Sequence, residues 1–324
     1  MAERPPKSQP PPAYRPVFFS GSELEARRRA RRRQVRRRRA GALLAVGVIA
    51  AVVVAVVLGQ RGGARSQNQT VAGVGHPRPL ARTHKPVVDH HRSFTTLTTG
   101  AINRVLAYTP YITVGRPRRR EVALTFDDGP GPYTLRILTV LQRAHVHATF
   151  FEVGRWVNLY PSVTRRLAEA GEVIGDHTED HPPLAELAAD QQRDEVVNDA
   201  RAITHAGAPA PHLFRPPYGS FNQTTLAMLR AEKLLMVLWT VDTSDYARPG
   251  VERITFVALS GARPGAIILM HDGGGDRSET VAALPRIIQR LRQRGYQLVT
   301  VPHLVRDDPP RRGQPAPQPL SGAI

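Results

Sequence analysis

Five short stretches of this chain carry residues able to do acid–base or metal chemistry, and each follows an apolar run. Val122 to Phe126 leads into Asp127-Asp128-Gly129-Pro130. Two adjacent carboxylates on a straight strand face opposite ways, but at a strand end that turns through Gly and Pro both can enter one mouth. One can then hold a metal while the other takes a proton, although an ordinary acidic turn has the same composition. Val173 to Gly175 leads into Asp176, His177, Thr178, Glu179, Asp180 and His181. Histidines at i and i+4 meet on one side of a helical turn and can share a metal through neutral ring nitrogens. Pro182 discourages a helix through His181, which puts the pair on a loop or a first turn. Taken alone, a His-x-x-x-His is more often solvated than metallated.

Two histidines and one aspartate make three protein ligands and leave a position for water, as catalytic metal sites do. Leu213 to Arg215 leads into Pro216, Pro217, Tyr218 and Gly219, and an arginine there can orient a carboxylate. A fourth stretch gives Asp242, Thr243, Ser244, Asp245 and Tyr246, and a fifth gives Leu269, Met270, His271 and Asp272. A histidine after an apolar strand is either a satisfied core residue or, opposite a metal, a natural general acid.

The elements that must position these residues alternate. Short apolar runs (Val122 to Phe126, Ala148 to Val153, Val173 to Gly175, Leu234 to Val241, Ala266 to Met270) are separated by amphipathic stretches such as Leu135 to Ala144, Pro161 to Ala170, Asp190 to His205 and Ala282 to Arg294. Strand then helix, repeated about seven times, predicts an α/β fold with a parallel sheet covered by helices. Periodicity fits an open doubly wound sheet and a barrel equally. In both, sites gather at the carboxyl ends of the strands, where these polar residues fall.

Composition narrows the chemistry further. The chain has 324 residues and no cysteine, so any transition metal must be held by His, Asp or Glu. The net charge of +18 resides at the N-terminal side. Residues 1–40 hold 13 Lys or Arg against 3 Asp or Glu, residues 41–120 hold 11 against 1, and the remainder holds 21 against 23. The patterned part therefore lacks the basic face that nucleic-acid binding needs. Arginine outnumbers lysine 42 to 3, a composition that suits a GC-rich bacterial genome.

Residues 41–59 run GALLAVGVIAAVVVAVVLG without a charge, and 19 residues of helix span about 28 Å, close to a bilayer core. The preceding run RRRARRRQVRRRR, Arg27 to Arg39, predicts by the positive-inside rule that residues 1–40 are a basic cytoplasmic segment. The expectation is a single-pass cell-membrane anchor with the rest of the chain extracellular; a cleaved signal peptide is the rival reading. Residues 60–108 read as an extracellular linker, its first 33 residues spanning roughly 30 Å as a coil. His84, Asp89, His90 and His91 lie in it and could take a metal only adventitiously. Residues 109–306 form the expected catalytic domain, and residues 307–324 a Pro-rich disordered tail.

The five stretches, in this order, resemble the motifs of the NodB-type polysaccharide deacetylases, carbohydrate esterase family four. Thr125-Phe126-Asp127-Asp128-Gly129-Pro130, His177-Thr178-Glu179-Asp180-His181, Arg215-Pro216-Pro217-Tyr218-Gly219, Asp242 to Tyr246 and Leu269-Met270-His271 carry the likeness, which covers about residues 109–306. The resemblance implies a distorted (β/α) barrel of about seven strands. It implies a divalent metal, usually Zn2+ with Co2+ or Mn2+ as alternatives, held by Asp128, His177 and His181. It makes Asp127 the general base with Arg215 as its partner, His271 the general acid with Asp245 as its partner, and the backbone N–H of Tyr218 an oxyanion donor. Leu269, Tyr246 and Pro217 are assigned to the substrate. The family's fourth motif usually ends in Asp-Trp, whereas Tyr246 follows Asp245 here, so that wall is smaller and more polar.

The implied activity is removal of N-acetyl groups from N-acetylglucosamine in envelope polysaccharide, peptidoglycan first, by a monomer. Chitin oligomers, O-acetylated glycan, or glycan binding without turnover are the alternatives.

Overall fold

The computed structural model describes residues 99–315 and 317. The expected cytoplasmic segment, the apolar stretch at 41–59, most of the linker, its histidines and the last residues of the tail lie outside the described residues. No helix among the described residues is long and apolar enough to cross a membrane.

In chain order the elements are helix α1 (residues 99–106), β1 (Tyr111–Ile112), β2 (Glu121–Gly129), α2 (Thr134–Ala144), β3 (Thr149–Glu152), α3 (Gly154–Leu159), α4 (Pro161–Glu169), β4 (Val173–Asp176), α5 (Ala189–His205), β5 (Leu213–Phe214), α6 (Gln223–Ala231), β6 (Leu235–Val237), β7 (Val241–Asp242), α7 (Val251–Gly261), β8 (Ala266–His271), α8 (Ser278–Gln293), β9 (Gln297–Val299) and α9 (Val301–Asp307). Every strand pairing is parallel, in the order β1-β6-β5-β4-β3-β2-β8-β7, with β9 beside the first residues of β2.

The sequence read Leu234 to Val241 as one strand, and the structure divides it. Leu238 N–H donates to Ile112 O on one sheet edge at 2.9 Å, and Thr240 N–H donates to Ile267 O near the other at 3.0 Å. Two adjacent strands thus stand at or next to opposite ends of the sheet order. The sheet curls into the distorted, incompletely closed barrel that the periodicity left open.

Period-two alternation decides what each strand offers to each side of this curl. On β2, Val122, Leu124 and Phe126 pack outward under the helices, while Ala123 belongs to an inner cluster with Phe151, Leu235, Val237 and Ile267. Thr125 and Asp127 share Ala123's parity and face the inside. On β8, Ala266, Ile268 and Met270 lie in the outer cluster and Ile267 in the inner one, which gives Leu269 and His271 the inward parity. The register sets Asp127 opposite His271. Gly175 is required where β4 passes β3, because an added Cβ would come within 2.6 Å of the Phe151 ring.

The ends of the domain differ from the sequence expectation. The described chain is already packed at α1, inside the expected linker, where Ala101, Ile102 and Val105 are buried in the inner cluster with Val301, Leu304 and Val305 of α9. Residues 307–314, expected to be disordered, are held against the sheet. Tyr108 OH donates to Pro310 O at 2.8 Å, and Gln314 Nε2 donates to Tyr111 O at 2.6 Å. A Pro-rich composition disfavours regular structure but leaves backbone and amide groups free to bond to tyrosines already fixed by the fold.

Candidate active site

Asp128, Thr178, His181, Tyr218 and Ser244 all have positive φ, between 51° and 73°, and lie at the end of a strand or in the loops that follow strands. A non-glycine residue in this region costs on the order of 1–3 kcal/mol and persists where the surrounding structure over-determines it. Five of the eight non-glycine residues with positive φ among the described residues thus lie at the predicted site.

The His177–His181 segment shows how such a loop is built. It is not helical. Left-handed turns at Thr178 and His181 bring the two imidazoles edge to face, with ring centroids 4.9 Å apart. Thr178 Oγ1 accepts the His181 N–H at 3.0 Å, and Gly154 and Arg155 at the start of α3 donate their N–H groups to the carbonyls of Thr178 and Glu179. From α5, Asp199 Oδ2 accepts the His177 N–H at 2.7 Å. Burial pushes the Asp176 carboxyl up to about 8 and that of Glu152 up to about 8, and raises Asp199 well above the carboxylate range with Asp176 beside it adding to the effect. Burial thus disfavours free charge on the acids behind the histidine.

Ligand atoms of Asp128, His177 and His181 all lie within 4.8 Å of one another. Asp128 Oδ1 is 3.0 Å from His181 Nε2 and 3.6 Å from His177 Nε2. His177 Nδ1 sits 2.6 Å from the carbonyl oxygen of Arg215, which can only accept, so Nδ1 carries a proton and Nε2 is left with a lone pair in the neutral ring. That lone pair faces the Asp128 oxygen and, at 3.8 Å, Asp127 Oδ2. Acceptors converging in this way are stable around a cation or an added proton. A donor set of two imidazoles and one carboxylate, each oriented by an outer partner, fits a divalent transition metal. Burial opposes charge on Asp128, but protons placed on the facing nitrogens of His177 and His181 outweigh it and hold the carboxyl well below its ordinary value, as a cation in the same place would. Burial lowers His181, which favours the neutral, ligating form.

Asp127 is 3% exposed, and Arg215 Nη1 donates to its Oδ1 at 2.7 Å and to Thr125 Oγ1 at 2.9 Å. Arg215 is itself fully buried, its Nε donating to Val237 O at 3.0 Å and its guanidinium lying 4.1 Å from the Phe151 ring centroid. One residue thus orients the carboxylate with its side chain and a histidine with its carbonyl. Breaking a buried pair leaves an uncompensated charge, so Arg215→Met is expected to cost about 3–5 kcal/mol, read as a lower urea midpoint. An unchanged midpoint would show that the pair contributes no net stability.

On the facing strand, His271 Nδ1 meets Asp245 Oδ1 at 2.7 Å, and the His271 N–H donates to Asp245 Oδ2 at 2.9 Å. Thr280 Oγ1 also donates to Asp245 Oδ2, at 2.6 Å. With Nδ1 engaged, Nε2 is the imidazole atom left to serve the site. Burial alone would lower His271, but the hydrogen bond and charge of Asp245 win and raise it to about 9.

The remaining expected residues lie at the rim. Tyr218 and Tyr246 are about half exposed, at 48% and 54%. Tyr218 OH lies 3.2 Å from His181 Nδ1, and the Tyr246 ring stands edge to face with His271 at a centroid distance of 5.4 Å. Leu269 and Pro217 are buried beneath them, the Leu269 carbonyl accepting from Thr243 Oγ1 at 2.8 Å. All eleven residues singled out from the sequence come from these strand ends and their loops. Sequence reasoning missed Thr125, Asp199, Thr243 and Thr280, which orient the others.

Among the described residues a second group, Glu121, His303 and Asp307, also has ligand spacing. Two of its three members are already engaged by arginines. Asp307 takes Arg306 Nε at 2.6 Å and Arg119 Nη1 at 2.7 Å, and Arg306 Nη2 lies 2.9 Å from His303 Nε2. It is an ion-pair network at the other end of β2.

A family model described as polysaccharide deacetylase matches residues 114–237. A peptidoglycan-N-acetylglucosamine deacetylase of Bacillus cereus is 37% identical over 209 residues, 63% of this chain and 98% of the relative. This chain belongs to the polysaccharide deacetylase family. A chitooligosaccharide deacetylase of Bradyrhizobium is 41% identical over 198 residues, 57% of this chain and 90% of that protein. The crystal structure of the Bc1960 peptidoglycan N-acetylglucosamine deacetylase superposes with a TM-score of 0.60 at 36% identity, covering 62% of this chain and 94% of that one. The present protein is thus a deacetylase hydrolase of the NodB type, and the curled parallel sheet is the fold of its family, which depends on a divalent metal.

Proposed function

We propose that this deacetylase removes the N-acetyl group of N-acetylglucosamine residues in cell-envelope glycan, with peptidoglycan as the polymer. The observation that carries the reading is the arrangement of two oriented acid–base groups, Asp127 held by Arg215 and His271 held by Asp245, on paired positions of β2 and β8 beside a three-donor set.

Asp128, His177 and His181 would hold the divalent metal, Zn2+ first and Co2+ or Mn2+ as alternatives, and when bound it supplies Lewis-acid polarisation of the acetamide carbonyl and acidifies water. Asp127 acts as general base through Oδ2, since Oδ1 is occupied by Arg215 and Oδ2 lies toward His177. It takes the proton from the attacking water, and Arg215 keeps the carboxylate fixed while it does so. His271 delivers a proton from Nε2 to the departing sugar amine. The backbone N–H of Tyr218 steadies the developing oxyanion. Tyr246, Leu269 and Pro217 bound the sugar and its acetyl group, and the phenol of Tyr246 reads the substrate differently from the indole usual in the family. One chain supplies every group, so a monomer suffices.

The general acid works only while His271 is protonated. Activity is therefore expected to fall as pH rises through about 9, and a loaded dication, adding positive charge to the same mouth, draws that limb lower. Asp245→Asn removes the group that raises His271 and leaves burial to lower it, so the alkaline limb of kcat/KM moves acidward by about two units. An unmoved limb would remove His271 from the acid role.

Residues 41–59 anchor the chain in the membrane, and the basic run before them keeps the N-terminus cytoplasmic and the catalytic domain outside, facing the wall polymer. A second reading, action on chitin oligomers, is favoured by the likeness to the Bradyrhizobium chitooligosaccharide deacetylase. Acetate release from peptidoglycan, chitin oligomers and acetylxylan by the zinc-loaded full chain separates these. Fastest release from peptidoglycan is expected. Release from chitin oligomers alone would transfer the assignment to the second reading, and release from acetylxylan alone would contradict both.

A further inference from the structure

The sequence assigned the chain's basicity to segments outside the fold, yet part of it gathers in one open surface cleft of the domain. Arg116, Pro117 and Arg118, ahead of β2, and Arg311 and Arg312, beyond α9, line a cleft of about 410 Å³. Among the described residues no carboxylate lines it. None of the four arginines makes an ion pair among the described residues, whereas neighbouring Arg119 is taken up by Asp307 and Glu121. The Nε of Arg116 is buried without a hydrogen-bond partner.

The cleft is held in shape independently of any ligand. Arg116 N–H donates to Asp308 O at 3.0 Å and Arg119 N–H to Asp308 Oδ2 at 2.8 Å, which ties the two segments together. Tyr111 OH donates to Gln314 O at 3.2 Å and closes the turn that carries Arg311 and Arg312. The Arg312 guanidinium lies 5.0 Å from the Tyr108 ring centroid, a cation–π contact that fixes its plane. Gly115 N–H donates to Gly265 O at 2.9 Å, just before β8 begins. The cleft therefore lies where β2 and β8 start, roughly 20 Å along the strands from Asp127 and His271 at their ends.

Four guanidinium groups gathered with no ion pair among the described residues repel one another, and this arrangement is relieved by a compact ligand with several negative oxygens. Planar guanidinium forks match the tetrahedral oxyanion of phosphate in paired hydrogen bonds. We infer that this cleft is a binding site for a phosphate-bearing anion, separate from the deacetylase centre. The volume accommodates more than a single phosphate, so a diphosphate or a phosphodiester headgroup is the class of ligand it takes.

The test uses the full chain in neutral detergent, titrated calorimetrically at constant ionic strength with inorganic pyrophosphate and, in a second arm, with monomeric dihexanoyl-phosphatidylglycerol. Hydrogen–deuterium exchange of residues 113–120 and 308–315 localises the binding. Pyrophosphate is expected to slow exchange in both segments. Arg116→Gln/Arg118→Gln and Arg311→Gln/Arg312→Gln should each weaken binding at least tenfold and leave acetate release from a soluble chitin oligomer unchanged. Tighter binding of the lipid than of pyrophosphate identifies a headgroup as the source, and the reverse order a soluble phosphorylated ligand. Protection confined to the N-terminal arginine run, or equal affinity in wild type and both variants, overturns the proposal. Should the variants fold poorly, the exchange pattern of the wild-type chain decides it alone.

Discussion

Asp127→Asn is expected to lower kcat/KM for acetate release by about 10²–10⁴-fold, the usual contribution of a general base, while bound metal stays near that of the wild type. Asparagine keeps an oxygen that can accept from Arg215 but offers no basic site at the position of Oδ2. Asp127 is not among the three converging donors, since Arg215 already occupies its Oδ1 at 2.7 Å. Loss of rate with metal retained separates a proton-transfer role from a ligand role. If metal and activity are lost together, Asp127 and Asp128 have been assigned the wrong way round.

His177→Ala should have the opposite signature. Removing the most deeply placed ligand is expected to weaken metal binding by more than the roughly 10–100-fold typical of losing an outer partner, and to take activity to background. His177 is 2% exposed, its Nδ1 fixed by Arg215 O and its N–H by Asp199, so the fold itself sets the position of this ligand. Metal content by elemental analysis and acetate release, measured on the same preparation, check this. Undiminished metal in the variant would place the ion elsewhere.

How much of this was legible in the sequence can be argued from particular residues. Asp127 and His271 were readable because each follows a continuous apolar run, Val122 to Phe126 and Ala266 to Met270, whereas the alternation that turns them inward is seen only in the structure, since Ala123 and Ile267 on the inner side are apolar too. The His177–His181 pair was readable as a pair but not as a shape. An i, i+4 spacing suggests a helical turn, and the same closeness is reached through left-handed residues pinned by α3 and α5. Arg215 was readable as a partner for a carboxylate, whereas its carbonyl on His177 Nδ1 was not, because any residue type offers a carbonyl. Thr280 lies 35 residues from Asp245 on a helix whose own pattern is fully explained by packing, and nothing local marks it. The split of Leu234 to Val241 escaped for a similar reason, since an apolar run carries no signal that it crosses from one sheet edge to the other.

The two ends misread in the sequence share one cause. Residues 99–106 were grouped with the linker before them and residues 307–314 are rich in Pro and charge, and the order of both comes from partners supplied by the fold: the inner cluster for Ala101, Ile102 and Val105, and Tyr108 and Tyr111 for Pro310 and Gln314. Composition reports what a segment can do alone. It does not report what a neighbouring surface will do to it.

The most direct test of the central claim is acetate release from N-acetylated peptidoglycan by the full chain, first stripped of metal by chelation and then titrated with Zn2+. A site of Asp128, His177 and His181 predicts background release in the stripped protein and recovery that saturates near about one ion per chain. Full activity in the stripped protein, or no acetate at any metal loading, would contradict it.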